Sequence, residues 1–324
     1  MRLTLKDARE LATATLLRVG LPRDHAEIVA AHLVHAAGAG HTFAGLPRLV
    51  ALAEIIKKRG PGGPITTLSE TPQSAVIDGA DVNGYVTSLI GMDKAIELAE
   101  KTGIGIVGVR NSWYSGLLAY YVERAARKGL VGFHAANSTA RVAPHGGADR
   151  IFGTNPMAFA FPADGEPLIV DFSSAKMAWG DVLYHQKLGL PLPEGTAVDP
   201  DGAPTLDPAQ ALAGAILPWG GARGMGVATI VQVLGILAGS PPIMQETGGW
   251  GYFFLAFKPG LLMPLDDFKH RVDALRRAVE SSRPSAGNDA VRMPGTGSRN
   301  RSRETASRDL IEIDDEIYRS ILAI

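Results

Sequence analysis

The sequence contains no cysteine. Its 324 residues can therefore form no disulfide, no thiolate nucleophile and no iron–sulfur or zinc site with cysteine ligands. A metal would have to be bound by the eight histidines and the carboxylates. Nothing in this composition indicates an oxidising compartment, so we expect a cytoplasmic protein.

An excess of charge of one sign is also missing. The chain has 32 basic and 33 acidic residues, so no strong field favours nucleic acid or an anionic membrane. The N-terminus lacks the apolar core of a signal peptide. The longest apolar stretch, 224–239, contains Gln232 and four glycines, whereas a membrane span needs about 20 apolar residues. We expect a soluble protein that binds neither nucleic acid nor membranes.

Apolar periodicity changes along the chain. Three helices of period 3.6 are predicted before residue 60, and a Pro/Gly joint at 61–64 follows them. Strands and helices then alternate, which is typical of an α/β sheet covered by helices on both faces. Predicted strands are 75–77, 105–109, 131–135, 157–161, 168–171 and 252–257. Predicted helices are 86–100, 117–127, 208–216, 224–237, 267–281 and 314–321.

The polar segment 282–307 contains a basic run, Arg299–Arg303. Charge runs are usually solvated, so we expect an exposed loop there, with phosphate contact as the alternative. His32 and His35 lie one helical turn apart and could bind a metal, but without a carboxylate on that face a polar helix flank is the better interpretation.

Familiar catalytic motifs are absent or misplaced. Residues 103–108 match G-x-G-x-x-G, but these glycines follow a predicted helix and lie within a strand, whereas the dinucleotide fingerprint follows a strand and opens a helix. A standard Rossmann domain is therefore not indicated. The sequence also contains no G-x-S-x-G elbow, P-loop or H-E-x-x-H motif.

Small polar residues are concentrated in three segments, 137–147, 153–156 and 171–174. Each follows or flanks a predicted strand, and ligands bind at strand ends in open α/β sheets. The same residue types also form ordinary turns, so both interpretations stand.

A collinear set of motifs covers nearly the whole chain. They are Gly40-His41 through Gly45 and Arg48, Val109-Arg110-Asn111-Ser112, Asn137-Ser138, Pro144 with Gly146-Gly147, Gly153-Thr154-Asn155-Pro156, Val170-Asp171-Phe172-Ser173, Asp199 through Thr205, Leu217-Pro218-Trp219-Gly220-Gly221, Gly224, and Met293-Pro294-Gly295. In these motifs and their order, the chain resembles the type-2 malate/L-lactate dehydrogenases. That family includes sulfolactate and ureidoglycolate dehydrogenases, diketogulonate reductase and Δ1-piperideine-2-carboxylate reductase.

The resemblance implies an α/β fold in three layers with a mixed sheet, which binds NADPH or NADH without the Rossmann fingerprint. We expect residues 1–72 and 262–324 to form a helical substrate and dimerisation domain, and residues 73–261 to form the cofactor-binding domain. A small-molecule substrate and a homodimer are implied as partners, with no metal.

The same resemblance implies which residues form the site. The cofactor-binding residues would be Asn137, Ser138, Thr139, Thr154, Asn155, Leu168, Val170, Asp171, Phe172, Ser173, Arg223 and Gly295. Arg223 stands where the family usually has lysine. Arg48 would bind a substrate carboxylate through two parallel hydrogen bonds, although an arginine on a helix surface is the alternative.

Three family positions are altered. Ala44 replaces the histidine that serves the family as proton donor, Tyr114 replaces a second histidine, and Gly297 replaces a glutamate. Hydride delivery to a ketone builds charge on oxygen, and a positioned acid typically contributes about 10²–10⁴-fold. An iminium ion already carries its proton. The replacements therefore favour an NAD(P)H-dependent reductase of a carboxylated imine, such as a cyclic imino acid.

Two other functions stay open. The first is a 2-hydroxy-acid dehydrogenase with a substitute proton donor, for which Tyr114 is the first candidate and His41 the reserve. The second is a catalytically silent descendant that binds the cofactor or a partner.

Overall fold

The computed structural model describes all 324 residues. The helices are α1 (Leu5–Arg18), α2 (Arg23–Gly38), α3 (Arg48–Arg59), α4 (Gly84–Thr102), α5 (Ala119–Arg127), α6 (Trp179–Leu188), α7 (Pro208–Ala213), α8 (Ala222–Leu237), α9 (Leu265–Glu280), α10 (Thr296–Arg308) and α11 (Asp315–Leu322). The strands are β1 (Arg2–Leu3), β2 (Thr66–Glu70), β3 (Ser74–Asp78), β4 (Ile104–Ser112), β5 (Val131–Ala136), β6 (Met157–Phe161), β7 (Leu168–Phe172), β8 (Ala197–Val198), β9 (Pro204–Thr205), β10 (Ala215–Ile216), β11 (Trp250–Phe257) and β12 (Ile311–Glu312). None of the helices combines the length and apolar character that crossing a bilayer requires.

A seven-stranded sheet in the order β2-β3-β4-β11-β5-β6-β7 forms the centre. Only β3 and β4 are parallel, and every other neighbouring pair is antiparallel, so the sheet is mixed. Helices α4 and α5 pack on one face, and α8 packs on the other. The predicted three-layer α/β fold is confirmed.

The glycines of 103–108 serve helix packing. Gly103 ends α4 with a φ of +95°, and β4 begins directly after it. A β-carbon on Gly105 would overlap the Ala95 carbonyl of α4, whereas one on Gly108 would lie 3.2 Å from Ala238 after α8. These two glycines let helices approach opposite faces of β4. The rejection of a Rossmann fingerprint is therefore confirmed.

A second core joins the two chain ends. Buried side chains of α1, α2 and α3 pack with Ile321 of α11, and β1 pairs with β12. The grouping of 1–72 with 262–324 stays a prediction. Two elements of these ranges contact the large sheet instead: β2 pairs with β3 at its edge, and α9 is hydrogen-bonded through Asp273 and Arg276 to the segment between β6 and β7.

The expectation of an exposed loop over 282–307 is wrong for its second half, which forms α10. No residue of α10 is fully buried, so it has no apolar stripe for a periodicity analysis to detect. It is held by hydrogen bonds to the end of α2: Arg301 Nε donates to the Ala39 carbonyl at 3.0 Å, and Thr305 Oγ1 donates to the Gly38 carbonyl at 3.1 Å.

Local sterics account for another difference. The predicted helix 208–216 ends at Ala213, because Gly214 lies against the carbonyl of Val198 and directs the chain into β10. There β10, β8 and β9 form a small antiparallel sheet. Neither α6 nor β2 was predicted from the sequence.

Two buried amides fix α8 on the sheet. Asn137 Nδ2 donates to Ser240 Oγ at 2.6 Å, and Asn137 Oδ1 accepts from the Gly251 N–H at 2.8 Å. Asn155 Nδ2 donates to the Ala228 carbonyl at 2.9 Å. Gly235 of α8 lies directly over the Asn137 side chain, where an added β-carbon would overlap the amide.

We therefore expect Gly235→Ala to lower the free energy of unfolding by about 1–3 kcal/mol, the usual cost of overpacking a core. Gly226 is the matched control, since it also lies in α8 and a β-carbon there meets nothing within 4 Å. Gly226→Ala should be neutral or stabilise by up to about 1 kcal/mol through helix propensity. Urea unfolding of both variants measures the difference, and equal stabilities would contradict this description of the contact.

Candidate active site

A cavity of about 230 Å³ lies where the N-terminal helices meet the ends of β4 and β5. Its lining brings together six residues predicted from the sequence, which are Arg48, Tyr114, Asn137, Ser138, Thr139 and Thr154. Ala44, where the resemblance predicts the loss of a proton-donating histidine, also lines this cavity. The structure therefore brings Ala44 and Tyr114 to one site with Arg48 and residues 137–139, whereas Gly297 lies in α10 outside the cavity lining.

Arg48 is held against aromatic rings. It is the first residue of α3, and its guanidinium carbon lies 4.1 Å from the Tyr114 ring centre and 5.4 Å from that of Phe43. Tyr114 follows β4 with a φ of +45°, and its ring contacts Trp250 at 5.2 Å. Stacking on a ring face holds a guanidinium in place while leaving its N–H donors free.

Arg141 is a site residue that the sequence analysis missed. It lines the same cavity, and its guanidinium carbon lies 4.2 Å from the centre of the Trp179 ring of α6. Burial, together with the nearby Arg150, lowers the pKa of Arg141, although an arginine stays charged at neutral pH. The only feature of the sequence that could have identified Arg141 is its position. It lies four residues after Asn137, in the segment 137–147 that is rich in small polar residues.

Neither Arg48 nor Arg141 forms an ion pair within the chain. The cavity thus contains two guanidiniums without a carboxylate partner. Both arginines are half-buried, and two neighbouring guanidiniums without an acidic partner are typical of a site that binds an anion.

The hydroxyls and amides of the cavity have separate roles. Asn137 is engaged with α8 as described, and Thr139 Oγ1 donates to the Glu246 carbonyl at 3.0 Å. The hydroxyls of Ser138 and Thr154 make no hydrogen bond within the chain, so they are available to a ligand. Asn155 does not line the cavity, since its amide holds Ala228 and Gln232 of α8.

His41 lies outside the cavity lining. Its Nε2 is 3.1 Å from the hydroxyl of Ser298 in α10. Burial, Arg301 and His35 all lower the pKa of His41, which favours the neutral ring. This position does not support the expectation that His41 is a reserve proton donor.

Strand β7 extends the site away from the cavity. The Thr154 carbonyl accepts hydrogen bonds from both the backbone N–H and the hydroxyl of Ser174, at 3.0 and 2.9 Å, which ties the cavity wall to the end of β7. β7 is an edge strand, so one row of its backbone groups pairs with no other strand. The predicted residues Leu168, Val170, Phe172 and Ser173 lie along this strand or directly after it.

Gly295 lies against the same strand. A β-carbon on Gly295 would come within 2.7 Å of the Ile169 carbonyl, and its φ of +78° also favours glycine. Arg223 is exposed in the first turn of α8 and does not line the cavity. Its contact with cofactor phosphates stays a prediction.

Asp171 has a structural role. Its carboxylate accepts the Ala119 N–H at 2.7 Å and so caps the start of α5. Burial raises the pKa of Asp171 to about 6, although the backbone N–H groups of Ala119 and Leu118 oppose the shift. A cofactor contact at this position would therefore involve the backbone more readily than the side chain.

These features fit a nicotinamide dinucleotide. A dinucleotide is long, polar and anionic, and needs an extended surface with hydrogen-bonding groups along it. The unpaired edge of β7, the free hydroxyls of Ser138 and Thr154, and the close approach of Gly295 supply such a surface beside the cavity.

Comparison with known proteins gives matches along the whole chain. Residues 3–322 match the family described as malate/L-lactate dehydrogenase. The chain is 32% identical to a ureidoglycolate dehydrogenase (NAD(+)) of Escherichia coli O157:H7, over 100% of this chain and 95% of that protein. It is 34% identical to a (2R)-3-sulfolactate dehydrogenase (NADP(+)) of Chromohalobacter salexigens, over 91% and 90%. The solved sulfolactate dehydrogenase of Methanocaldococcus jannaschii, 32% identical, superposes with a TM-score of 0.88 over 99% of this chain and 95% of that one.

The pKa of Asp171 predicts a pH dependence of stability. A free aspartate titrates near pH 4, so between about pH 4 and 6 the folded state binds more protons and stability falls as the pH rises. Asp171→Asn keeps an acceptor for the Ala119 N–H and does not titrate. From about pH 4 to 7 we expect the wild type to lose about 2 kcal/mol of unfolding free energy relative to this variant.

Thermal or urea unfolding across this pH range measures the difference between the two proteins. Asp207→Asn is the matched control, because Asp207 caps α7 from an exposed position. A plot of unfolding free energy against pH for Asp207→Asn should run parallel to that of the wild type. If the plot for Asp171→Asn also ran parallel to the wild type, the Asp171 carboxyl would not be buried as described.

Proposed function

Because the chain belongs to the malate/L-lactate dehydrogenase family, we propose that it reduces a small carboxylated imine with NADPH or NADH. Family membership confirms the predicted oxidoreductase class and agrees with a nicotinamide cofactor. One observation carries the choice of substrate: Ala44 faces a cavity that contains two unpaired guanidiniums and no histidine. A methyl group cannot protonate a substrate.

Arg48 and Arg141 would bind the acidic part of the substrate. Each guanidinium offers paired N–H donors, which match the two oxygens of a carboxylate. Stacking on Tyr114 and Trp179 fixes the two planes before a ligand arrives, which lowers the entropy lost on binding. Two cations also accommodate a substrate with a second acidic group.

The cavity suits a C=N bond better than a C=O bond. When bound, reduced nicotinamide supplies a hydride. A protonated imine becomes a neutral amine on accepting hydride, so the protein needs to position the substrate without giving it a proton. A ketone develops negative charge on oxygen and needs a donor at that atom. The residues that surround Ala44 provide cations, aromatic faces and hydroxyls.

A specific observation favours one alternative. Tyr114 lines the cavity beside Arg48, and its hydroxyl is the one phenol at an altered histidine position. A tyrosine there could donate a proton to a keto acid. In that case the protein is a 2-hydroxy-acid dehydrogenase with a substitute donor.

We also propose a homodimer, formed through α8 of the 73–261 domain and not through the terminal helical domain that the sequence analysis assigned to dimerisation. Ile230, Val233 and Leu237 are 55%, 56% and 73% exposed, and they share one face of this helix. Arg223 is the only charged residue in α8. An apolar face without charge can meet its own copy across a two-fold axis without repulsion, which favours a second copy of this chain as the occupant.

Ala44→His tests the role of the missing donor. Wild-type protein should oxidise NAD(P)H with cyclic α-imino acids and do so at least about 100-fold more efficiently than with pyruvate or oxaloacetate, because a missing acid costs about 10²–10⁴-fold with ketones. Ala44→His should raise kcat/KM for the keto acids about tenfold or more and leave imine reduction nearly unchanged. Steady-state absorbance assays over the panel measure both values.

Ala44→Gln is the control, because it fills comparable space without an imidazole acid. A gain with glutamine equal to that with histidine would indicate packing and not proton donation. Wild-type preference for keto acids, abolished by Tyr114→Phe, would replace the imine proposal with the dehydrogenase alternative. Cofactor binding without turnover of any substrate would indicate the silent descendant.

Sedimentation or light scattering tests the dimer. We expect wild-type protein at twice the chain mass of 34.2 kDa, and Val233→Lys at the monomer mass, because a lysine in an apolar interface leaves a charge buried without a partner. Leu262→Lys is the control, since Leu262 is 87% exposed and lies far along the chain from α8. A monomeric wild type would reject this interface.

A further inference from the structure

The basic run of α10 contains two arginines without an acidic partner, Arg299 and Arg301, and of these Arg301 is held by the Ala39 carbonyl. Arg303 lies 3.6 Å from Glu166, and Arg308 pairs with Glu304. Arg299 forms no ion pair, and its closest polar contact is a long hydrogen bond of 3.4 Å to the Thr296 hydroxyl. Its Nε is buried and has no hydrogen-bond partner. A buried donor of this kind is costly unless a ligand satisfies it.

The surroundings of Arg299 are arranged to leave it unpaired. Arg276 is bound to Asp273 and to the Glu166 carbonyl. The Glu166 carboxylate is shared between Arg127 and Arg303, and Glu280 accepts the Thr296 hydroxyl. Burial, followed by the nearby Arg276 and Arg303, lowers the pKa of Arg299, while Glu280 and Glu166 oppose the shift.

The position of Arg299 relates it to the proposed cofactor site. α10 begins directly after Gly295, which contacts the Ile169 carbonyl at the start of β7. The opposite end of β7 leads to Ser174, which is hydrogen-bonded to the cavity wall at Thr154. Strand residues rise by about 3.3 Å each, so the five residues of β7 separate these two points by roughly 16 Å. An extended dinucleotide with its nicotinamide at the cavity would therefore have its adenosine end near Arg299.

We propose that Arg299 binds the 2′-phosphate of NADP(H) and makes this protein selective for NADPH over NADH. The inference rests on the proposed function and deepens it by naming the cofactor. An arginine accommodates a ribose 2′-phosphate, whereas an enzyme that prefers NADH usually directs an acid to the 2′-hydroxyl. The acids near Arg299 are engaged with other groups, and its guanidinium makes only the long hydrogen bond to Thr296.

Isothermal titration of the full-length protein with NADPH and NADH, without substrate, tests this assignment. Wild type should bind NADPH at least about tenfold more tightly, as expected for hydrogen bonds between charged groups. Arg299→Gln should weaken NADPH binding by about tenfold or more and leave NADH binding nearly unchanged. The ratio of the NADPH affinity to the NADH affinity should then be close to one. Arg308→Gln is the matched control, since it removes the same charge from the far end of α10 and should preserve the ratio.

Adenosine 2′,5′-bisphosphate and 5′-AMP extend the test to the adenosine end alone. The bisphosphate should bind more tightly to wild type, and Arg299→Gln should remove that advantage. Equal loss of NADPH and NADH affinity in Arg299→Gln would place Arg299 on the pyrophosphate and overturn the inference. Equal wild-type affinities for the two cofactors would overturn it while leaving the proposed function intact, whereas binding of neither would reject both.

Discussion

The hydrogen bonds of Asn137 connect the fold to the site. This buried amide joins the end of β5 to Ser240 after α8 and to Gly251 in β11, and Gly235 leaves the space that it occupies. The residues that follow it, Ser138, Thr139 and Arg141, enter the cavity as a consequence. Losing either hydrogen bond of a buried amide is costly, so the partners of Asn137 favour one arrangement of α8 on the sheet. The shape of the cavity depends on that arrangement.

Periodicity was sufficient for elements that bury an apolar stripe or a run of apolar residues. Helix α4 and the strands β5, β6 and β11 follow their predicted ranges closely for this reason, and α1, α2 and α3 are the three helices predicted before residue 60. Periodicity failed for elements that have no apolar stripe and are held in place by tertiary contacts. α10 is held by Arg301 and Thr305 against the end of α2, and β2 is a polar edge strand with every residue exposed. No local pattern in the sequence encodes such contacts.

The candidate site shows the same division. The family motifs pointed to Arg48, Tyr114 and the segment 137–139, which line the cavity. They could do so because the motifs occur in the same order along nearly the whole chain. Arg141 and Trp179 were missed, since their pairing joins a loop to α6, a helix that no sequence pattern predicted. A cation and an aromatic ring 38 residues apart become recognisable as a unit only in three dimensions. Their contact doubles the positive charge that the motifs alone assign to the cavity.

The distribution of charge links the chemistry to the choice of substrate. No histidine lines the cavity, and the structure contains no carboxylate that neutralises Arg48 or Arg141. A cationic wall stabilises a bound carboxylate and any negative charge that develops on a ketone oxygen, but it disfavours an isolated iminium cation. In the imine proposal the substrate's carboxylate therefore also offsets the iminium charge. An imino acid with two acidic groups meets both guanidiniums and offsets that charge better than a simple imine, because the whole cavity then approaches neutrality.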